Sequence, residues 1–255
     1  MITSTSNAKV KWLLQLQKKR KAREAEAVFI IEGLRMFEET PVDRIGEVYV
    51  SKCFYEKHQA KLKELKVEIL SENVFEYVSD TKSPQGILCV VKMKSSTVTQ
   101  LLEKEPAHIL ILEDIQDPGN LGTILRSAEG AGVTGVILSA NCVDIYNPKT
   151  IRSTMGSIYR VPFLYVADMA EMIQRIKQVK IRVYAADLRG NEYCSAERYQ
   201  GGVAFLLGNE GNGLSSQIEA FADEKVMIPM EGQVESLNVA IAAAILMFEV
   251  RRQRR

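Results

Sequence analysis

Three segments rich in Gly, Asn, Ser and acidic residues carry the side chains that could perform chemistry. They are "DPGNLGTILRSAEGAG" (117–132), "GNEGNG" (208–213) and "EGQVESLN" (231–238). Glycines let backbone amides approach a ligand closely, and amide, hydroxyl and carboxylate groups can orient a polar substrate. The first segment also holds Arg126, a permanent cation that can stabilise negative charge developing on an oxygen.

Arg126 is unusual because its predicted helix consists mainly of small and apolar residues. One buried stripe is predicted by apolar residues at helical spacing: Leu121, Ile124, Leu125 and Ala128. Arg126 falls opposite this stripe, beside Gly122, and side chains on a helix lean toward its N-terminus. We therefore expect the guanidinium to reach the loop at 117–120. A solvated surface arginine is the alternative.

Each of the three segments follows an apolar run of strand length and leads into a predicted helix. Similar runs lie at 135–140, 160–166 and 181–187. Continuous apolar runs are typical of a parallel sheet buried on both faces, and such sheets bind ligands at the carboxyl ends of their strands. We expect the three segments to meet at that edge. Neither G-x-G-x-x-G nor G-x-x-x-x-G-K-[ST] occurs, which argues against an ordinary dinucleotide-binding fold.

Single residues in these segments also have simpler interpretations. Glu210, flanked by glycines, is compatible with an ordinary turn. Ser236 is the predicted N-cap of the last helix, since serine is a favoured capping residue. Asn238 is harder to explain structurally, since it lies in the first turn of an otherwise apolar helix and a buried amide needs hydrogen-bond partners.

Composition excludes several classes of protein. The chain has 255 residues, of which 46% are hydrophobic and 25% charged, as in ordinary globular domains. It contains no apolar run of membrane-spanning length, and its N-terminus lacks the pattern of a secretory signal. Four scattered cysteines without a C-x-x-C pair, and only two histidines, argue against a metal site, a disulfide framework and a histidine triad. A reducing compartment, the cytoplasm, is expected.

The basic residues are concentrated at the two ends. Residues 1–25 hold seven cations against one glutamate, and the chain ends in "RRQRR". Basic ends on a nearly neutral protein favour contact with a polyanion such as RNA. The predicted RNA contacts are Lys9, Lys11, Lys18, Lys19, Arg20, Arg23 and Arg35. A solvated amphipathic helix and a frayed tail remain the alternative.

Two segments emerge along the chain. Residues 1–93 are predicted to form a small α/β domain, which begins with a basic helix near 7–25 and has strands near 28–32, 47–51, 67–70 and 86–91. Residues 94–106 form a linker, since they begin with a serine- and threonine-rich stretch. Residues 107–255 form the parallel-sheet domain, in which Asn147-Pro148 predicts a helix start.

The last helix, within "SLNVAIAAAILMFEVRRQRR", is apolar on nearly all sides as far as Glu249. Its alanines allow close approach by a neighbouring helix. Such a helix is buried in its own domain or against a second subunit, and we favour a homodimer contact.

Three motifs in sequence order make the chain resemble the SpoU (TrmH-like) family of RNA ribose 2′-O-methyltransferases. They are N-x-G-x-x-x-R (Asn120, Gly122, Arg126), G-x-E-x-x-G (Gly208, Glu210, Gly213) and I-P-M-x-G-x-x-x-S-L-N-V (228–239). The segment "SNAKVKWLLQLQKKRKAREAEAVFIIEG" (6–33) also resembles the start of that family's RNA-binding domain.

The resemblance implies a C-terminal α/β methyltransferase domain of the SPOUT class, with a parallel sheet and a deep trefoil knot. It also implies a smaller N-terminal α/β RNA-binding domain similar to ribosomal protein L30e, an obligate dimer, and S-adenosylmethionine bound in a bent shape without a metal. The cofactor contacts implied are Gly208, Ile228 and Leu237, with their neighbours Leu207, Met230 and Gly232.

The implied reaction is in-line attack of a ribose 2′-oxygen on the sulfonium methyl group. Since guanidinium stays protonated, we expect Arg126 to stabilise the developing alkoxide or to hold a phosphate, and a phosphate oxygen or Glu210 to accept the proton. Asn120 orients the arginine or the ribose, while Ser236 and Asn238 bind phosphate and organise the cofactor loop. A guanosine of large-subunit (23S) ribosomal RNA is the favoured substrate; transfer RNA and a non-catalytic RNA-binding module are alternatives.

Overall fold

The computed structural model describes residues 1–194, 198–233 and 236–255 and divides the chain into two compact units. Unit 1 comprises residues 1–94 and 144–159, and unit 2 comprises residues 95–143 and 160–255. No helix in the described part of the chain combines the length and the apolarity that crossing a membrane requires.

Unit 1 contains a mixed four-stranded sheet in the order β1-β4-β2-β3. β4 runs antiparallel to β1 and β2, whereas β2 and β3 are parallel. The strands are β1 (Val28–Glu32), β2 (Ile45–Ser51), β3 (Lys66–Leu70) and β4 (Ile87–Lys92). All four lie where the apolar runs predicted them, and each contributes buried residues to the core of this unit.

The helices of unit 1 are α1 (Ala8–Lys18), α2 (Arg20–Glu26), α3 (Leu34–Glu39), α4 (Lys52–Leu62) and α5 (Glu72–Val78). The single basic helix expected near 7–25 is therefore two helices. The break lies at Lys19, whose backbone is extended (φ −118°, ψ 113°). α1 starts at an Asn7 N-cap and buries Val10, Leu13 and Leu16 in the core of the unit.

The segment 144–159 follows β6 of unit 2 in sequence but packs in unit 1. It contains α8 (Pro148–Thr154), which starts at the Asn147 N-cap as predicted. Asp144 forms an ion pair with Arg23, and the ring of Tyr146 lies 4.6 Å from the ring of Phe29.

Arg23 corrects one of the predicted RNA contacts. Only 3% of the residue is exposed, and its Nε donates a hydrogen bond to Asp144 Oδ2 at 3.0 Å. Its Nη1 donates to the carbonyl oxygens of Leu16 (2.6 Å) and Gln17 (2.9 Å). These contacts commit the guanidinium to the interior of unit 1, so it does not present its charge to RNA.

Unit 2 contains a six-stranded sheet in the order β10-β8-β9-β5-β6-β7. Every strand pair described in it is parallel, which confirms the predicted parallel sheet. The strands are β5 (His108–Leu112), β6 (Gly135–Ser139), β7 (Phe163–Val166), β8 (Arg182–Glu192), β9 (Val203–Leu207) and β10 (Glu224–Met227). β5 and β9 are buried along their whole length, as their uninterrupted apolar sequences require.

The helices of unit 2 are α6 (Val98–Leu102), α7 (Pro118–Ala131), α9 (Met169–Gln178), α10 (Ser216–Glu219) and α11 (Val239–Gln253). α6 falls inside the predicted linker. A capping box formed by Thr97 and Gln100 starts it, and its Leu101 is buried. In α7, the apolar stripe predicted from the sequence is buried.

The last helix begins later than expected. Its N-cap is Asn238, whose Oδ1 accepts hydrogen bonds from the amides of Ala240 (2.9 Å) and Ile241 (3.3 Å). Ser236, the predicted N-cap, lies two residues before it and is exposed. Both residue types can cap a helix, so local sequence preference does not choose between them.

Candidate active site

A cavity of about 1150 Å³ opens in unit 2 among the loops at the carboxyl ends of β5, β8, β9 and β10. Side chains from all three sequence segments line it, as the parallel arrangement predicted. The predicted site residues that line it are Asn120, Leu207, Gly208, Glu210, Ile228, Met230, Ser236, Leu237 and Asn238.

The Glu210 carboxylate ties the second segment to the first. It accepts hydrogen bonds from the backbone amides of Gln116 (3.2 Å) and Asp117 (3.1 Å) and from Asn120 Nδ2 (3.0 Å). Partial burial raises the pKa of Glu210, but these hydrogen bonds outweigh it and hold the pKa below the usual value. Glu210 is therefore a fixed anion rather than a group prepared to take up a proton.

Asn120 continues this connection to the third segment. Its Oδ1 accepts a hydrogen bond from Asn238 Nδ2 at 2.9 Å, while Asn238 Oδ1 caps α11. Hydrogen bonds between the side chains of Glu210, Asn120 and Asn238 thus join the three loops. The amide that had no explanation from sequence, Asn238, finds its partners here.

The start of α7 is fixed independently. Asp117 is the N-cap and accepts the Asn120 amide at 2.8 Å, with Pro118 in the first helical position. Just upstream, Asp114 adopts a left-handed conformation (φ 55°), which is uncommon for a residue other than glycine. Ser139 Oγ donates to Asp114 Oδ1 at 2.6 Å, and Asn209 Nδ2 donates to the Asp114 carbonyl at 2.9 Å.

Gly208 allows the chain to pass very close to itself. A Cβ atom at this position would lie 2.1 Å from the carbonyl carbon of Gly213 and 2.2 Å from the amide nitrogen of Leu214. The loop closes through paired hydrogen bonds between Asn209 and Gly213 at 3.0 and 2.9 Å. Glycine at 208 is required by this close approach of two backbone segments.

Two predicted site residues lie elsewhere. Arg126 is exposed on α7, does not belong to the cavity wall, and forms no hydrogen bond or ion pair with any residue that the structure describes. Gly122, which was expected to clear its path, is buried. Gly232 is exposed, has a positive φ of 85° and does not line the cavity.

The family model described as "SpoU rRNA Methylase family" matches residues 107–248, more than half of the chain. The chain belongs to the SpoU rRNA methylase family. A second family model, "MRM3-like substrate binding domain", matches residues 7–89. The resemblance inferred from the three motifs is thereby confirmed.

The similarity to known SpoU proteins extends over nearly the whole chain. The 23S rRNA (guanosine(2553)-2′-O)-methyltransferase RlmP of Bacillus subtilis is 31% identical over 98% of each chain. The AdoMet-bound rRNA methyltransferase of Sinorhizobium meliloti is 30% identical, with a TM-score of 0.84 over 98% of this chain and 97% of that one. The SpoU methyltransferase AviRb of Streptomyces viridochromogenes (TM-score 0.87, 23% identity) shares the fold.

One part of the cavity wall of this SpoU protein was not foreseen from its sequence. Residues 186–190 form a bulge in β8, because Ala185 pairs with Lys225 while Asn191 pairs with the next residue of β10, Val226. We call residues 186–190 the β8 bulge. Its first four residues line the cavity. The Asp-Leu-Arg-Gly sequence could have indicated a turn, but only strand register reveals a bulge.

The basic residues of unit 1 differ in how free they are. Lys9 donates to Glu68 (2.6 Å) and Glu47 (3.1 Å), and the hydrogen bond to Glu68 contributes most to raising the pKa of Lys9. Arg20 pairs with Glu24. The predicted RNA contacts whose residues are exposed are Lys11, Lys18, Lys19 and Arg35.

The basic C-terminus is docked rather than frayed. Arg254 donates to the carbonyl oxygens of Tyr199 (2.8 Å) and Ala107 (2.9 Å), and Arg252 pairs with Glu249. Arg251 donates to the Gly130 carbonyl at 3.1 Å. Arg254 and Arg251 hold the end of α11 against the rest of unit 2, whereas Arg252 pairs within the helix itself.

Proposed function

We propose that this protein transfers a methyl group from S-adenosylmethionine to the ribose 2′-hydroxyl of a guanosine in 23S ribosomal RNA. The observation that carries the proposal is the convergence of the three SpoU motifs on one cavity, joined by the Glu210–Asn120–Asn238 hydrogen bonds. The substrate follows from RlmP, which is 31% identical over 98% of each chain and acts on a guanosine of 23S rRNA.

The cavity fits S-adenosylmethionine in size and in chemistry. Its volume of about 1150 Å³ is large enough for a nucleoside with an amino-acid tail. Gly208, Ile228 and Leu237 would hold the nucleoside largely through backbone groups and apolar contacts, with Leu207 and Met230 beside them on the cavity wall. The bound cofactor supplies the methyl group on a positively charged sulfur, and the fixed Glu210 carboxylate suits a positive charge in the cavity.

Arg126 acts on the RNA. Its guanidinium stays protonated at any working pH, so it stabilises the developing 2′-alkoxide or binds the adjacent phosphate. The exposed and unpaired state of its side chain leaves it free to do so. Asn120 and Asn238 position this loop through their mutual hydrogen bond.

The proton from the 2′-hydroxyl passes to a phosphate oxygen of the substrate. Glu210, the other candidate from the sequence, accepts three hydrogen bonds, and its pKa is held below the usual value. These hydrogen bonds hold the carboxylate oxygens against the loop at 116–120, so Glu210 is excluded by its position rather than by its basicity. Glu210 is instead a positioning residue that holds Asn120, while Ser236 at the cavity wall binds substrate phosphate.

The protein works as a homodimer through α11. Ile241 and Phe248 lie seven residues apart on one face of this apolar helix, and 50% and 47% of their surfaces are exposed. Two large apolar side chains left exposed on one helix face favour a subunit contact. Sedimentation of wild type and of Phe248→Glu tests this point: we expect a dimer and a monomer. The trefoil knot and the likeness of unit 1 to ribosomal protein L30e stay predictions.

RNA reaches the enzyme through the basic surface of unit 1, where Lys11, Lys18, Lys19 and Arg35 are exposed. Action on ribosomal RNA implies a cytoplasmic protein, and its four cysteines are free thiols.

The test is methyl incorporation followed by mapping. Purified protein is incubated with labelled S-adenosylmethionine and with 23S ribosomal RNA or total transfer RNA from cells that lack the enzyme. We expect label in 23S RNA, at the 2′-oxygen of one guanosine. Label in transfer RNA alone would move the substrate to that class, and RNA binding without any incorporation would favour a non-catalytic module.

A further inference from the structure

The cavity wall is strongly acidic apart from one side chain of the β8 bulge. The ionisable residues that line it, within the described chain, are four carboxylates and one cation: Asp117, Asp187, Glu210, Glu219 and Arg189. S-adenosylmethionine carries a sulfonium and an α-ammonium group, which suit an acidic wall, but its amino-acid tail also ends in an α-carboxylate. A carboxylate placed against that wall needs a cation.

Arg189 is held in a defined orientation by Asp187. Its Nε donates to Asp187 Oδ1 at 3.1 Å, its Nη2 donates to Asp187 Oδ2 at 2.9 Å, and its backbone amide donates to Oδ1 at 2.8 Å. Asp187 thus occupies the Nε/Nη2 edge of the guanidinium. Glu219 Oε1 lies 3.5 Å from Nη2, and no described residue accepts a hydrogen bond from Nη1. A ligand carboxylate can therefore still bind at the Nη1 side of the Nη1/Nη2 edge.

The Asp187 carboxylate is itself fixed on its other side. Lys225 Nζ donates to Asp187 Oδ2 at 3.0 Å and pairs with Glu219 at 2.7 Å. The hydrogen bond from Arg189 is the main cause that holds the pKa of Asp187 well below its usual value, so this anchor is charged at neutral pH. Only 9% of the Asp187 side chain is exposed, against 76% for Arg189.

The backbone of the bulge puts Arg189 where a ligand in the cavity can meet it. A Cβ atom at Gly190 would lie 2.6 Å from the Lys225 carbonyl carbon and 2.6 Å from the Val226 amide nitrogen. Gly190 therefore lets the chain return directly onto β10, and the four residues before it project to the cavity wall.

We propose that Arg189 binds the α-carboxylate of S-adenosylmethionine through its Nη1/Nη2 edge and that Asp187 positions it. Arg189 is then a cofactor-binding residue outside the three motifs, and it selects ligands that keep the amino-acid carboxylate. The inference rests on the proposed function, because it requires S-adenosylmethionine in this cavity.

The test is a calorimetric titration of the full chain with two ligands, S-adenosylmethionine and its decarboxylated analogue, which lacks only the α-carboxylate. For Arg189→Ala we expect about fivefold weaker binding of S-adenosylmethionine, which corresponds to the roughly 1 kcal/mol that an Arg–carboxylate pair contributes at an exposed site. Binding of the analogue should change less than about twofold. Arg189→Lys keeps the positive charge but lacks the two parallel N–H donors of a guanidinium edge, so we expect its affinity for S-adenosylmethionine to fall by an intermediate factor of roughly three.

Arg182→Ala is the matched control, since Arg182 lies on the same strand and pairs with Glu224 but does not line the cavity. It should leave both affinities unchanged. Equal losses for the two ligands, or no loss in Arg189→Ala, overturn the inference while the proposed function stands. Failure of the wild-type protein to bind S-adenosylmethionine overturns both.

Discussion

The buried guanidinium of Arg23 offers a perturbation whose cost can be worked out from its contacts. Arg23→Met keeps most of the side-chain volume and removes the charge. It leaves the Asp144 carboxylate without its ion-pair partner and removes the donors that reach the Leu16 and Gln17 carbonyl oxygens. Breaking a buried ion pair from one side costs about 3–5 kcal/mol of unfolding free energy.

The chain has one tryptophan, Trp12, which lies on α1 in unit 1. Its fluorescence therefore follows the unfolding of the unit that contains Arg23. With a urea dependence of about 2 kcal/mol per molar, a loss of about 4 kcal/mol lowers the transition midpoint by roughly 2 M. The measurement is a urea titration of wild type and variant, read by that fluorescence.

Arg20→Met is the matched control, because Arg20 lies on the same helix and its ion pair with Glu24 is solvent-exposed. It should cost no more than about 0.5 kcal/mol. Adding Asp144→Asn to Arg23→Met should recover part of the loss, since the unpaired buried charge is then gone. If Arg23→Met unfolds like the Arg20 control while its RNA affinity falls, Arg23 contacts RNA and the structural reasoning is wrong.

Four further predictions concern the active-site unit. Arg126→Ala should lower kcat about a hundredfold or more, whereas Arg126→Lys should keep partial activity with an unshifted pH profile of kcat. Near-normal turnover of Arg126→Lys with a shifted pH profile would instead indicate that residue 126 acts as a titrating base. Glu210→Gln should retain most of kcat and lower the melting temperature, because it keeps the shape of a positioning residue; collapse of kcat without loss of stability would indicate a proton acceptor. Gly208→Ala should abolish S-adenosylmethionine binding in calorimetry, while Gly201→Ala, whose Cβ would meet nothing within 4 Å and which does not line the cavity, should bind normally. Burial lowers the pKa of His108 from 6.5 to about 3. Between these pH values the imidazole takes up a proton in the unfolded chain but not in the folded one, so the free energy of unfolding falls as the pH drops below 6.5. This loss, about 2 kcal/mol from pH 6.5 to 5, should be absent from urea titrations of His108→Phe.

Most of the fold was accessible from the sequence because its signals are local. The apolar runs that predicted β5 and β9 give two strands buried throughout. The Asn147-Pro148 pair starts α8 as expected, since an N-cap and a first-turn proline act within one turn of the helix. The parallel sheet followed from the same runs, and with it the edge at which the three segments meet.

The candidate site was predicted at the level of which segments converge, but not in its connections. Sequence could not tell that Asn238 rather than Ser236 caps α11, because that choice is linked to the hydrogen bond from Asn238 to Asn120 across 118 residues of chain. The β8 bulge was missed because a bulge is defined by its partner strand, and no residue in the bulge specifies where β10 pairs.

The sequence alone determined most of the secondary structure, the parallel sheet and the motif residues, because these depend on periodicity and on contacts within a few residues. Tertiary structure decided which charges are free. Arg23, in a basic helix that looked exposed, is buried because Asp144 meets it from 121 residues away, whereas Arg126 and Lys11 stay exposed. The physical reason is that a charge enters the interior only when a partner replaces its water, and partners distant in sequence are brought together only by the packing of the whole unit.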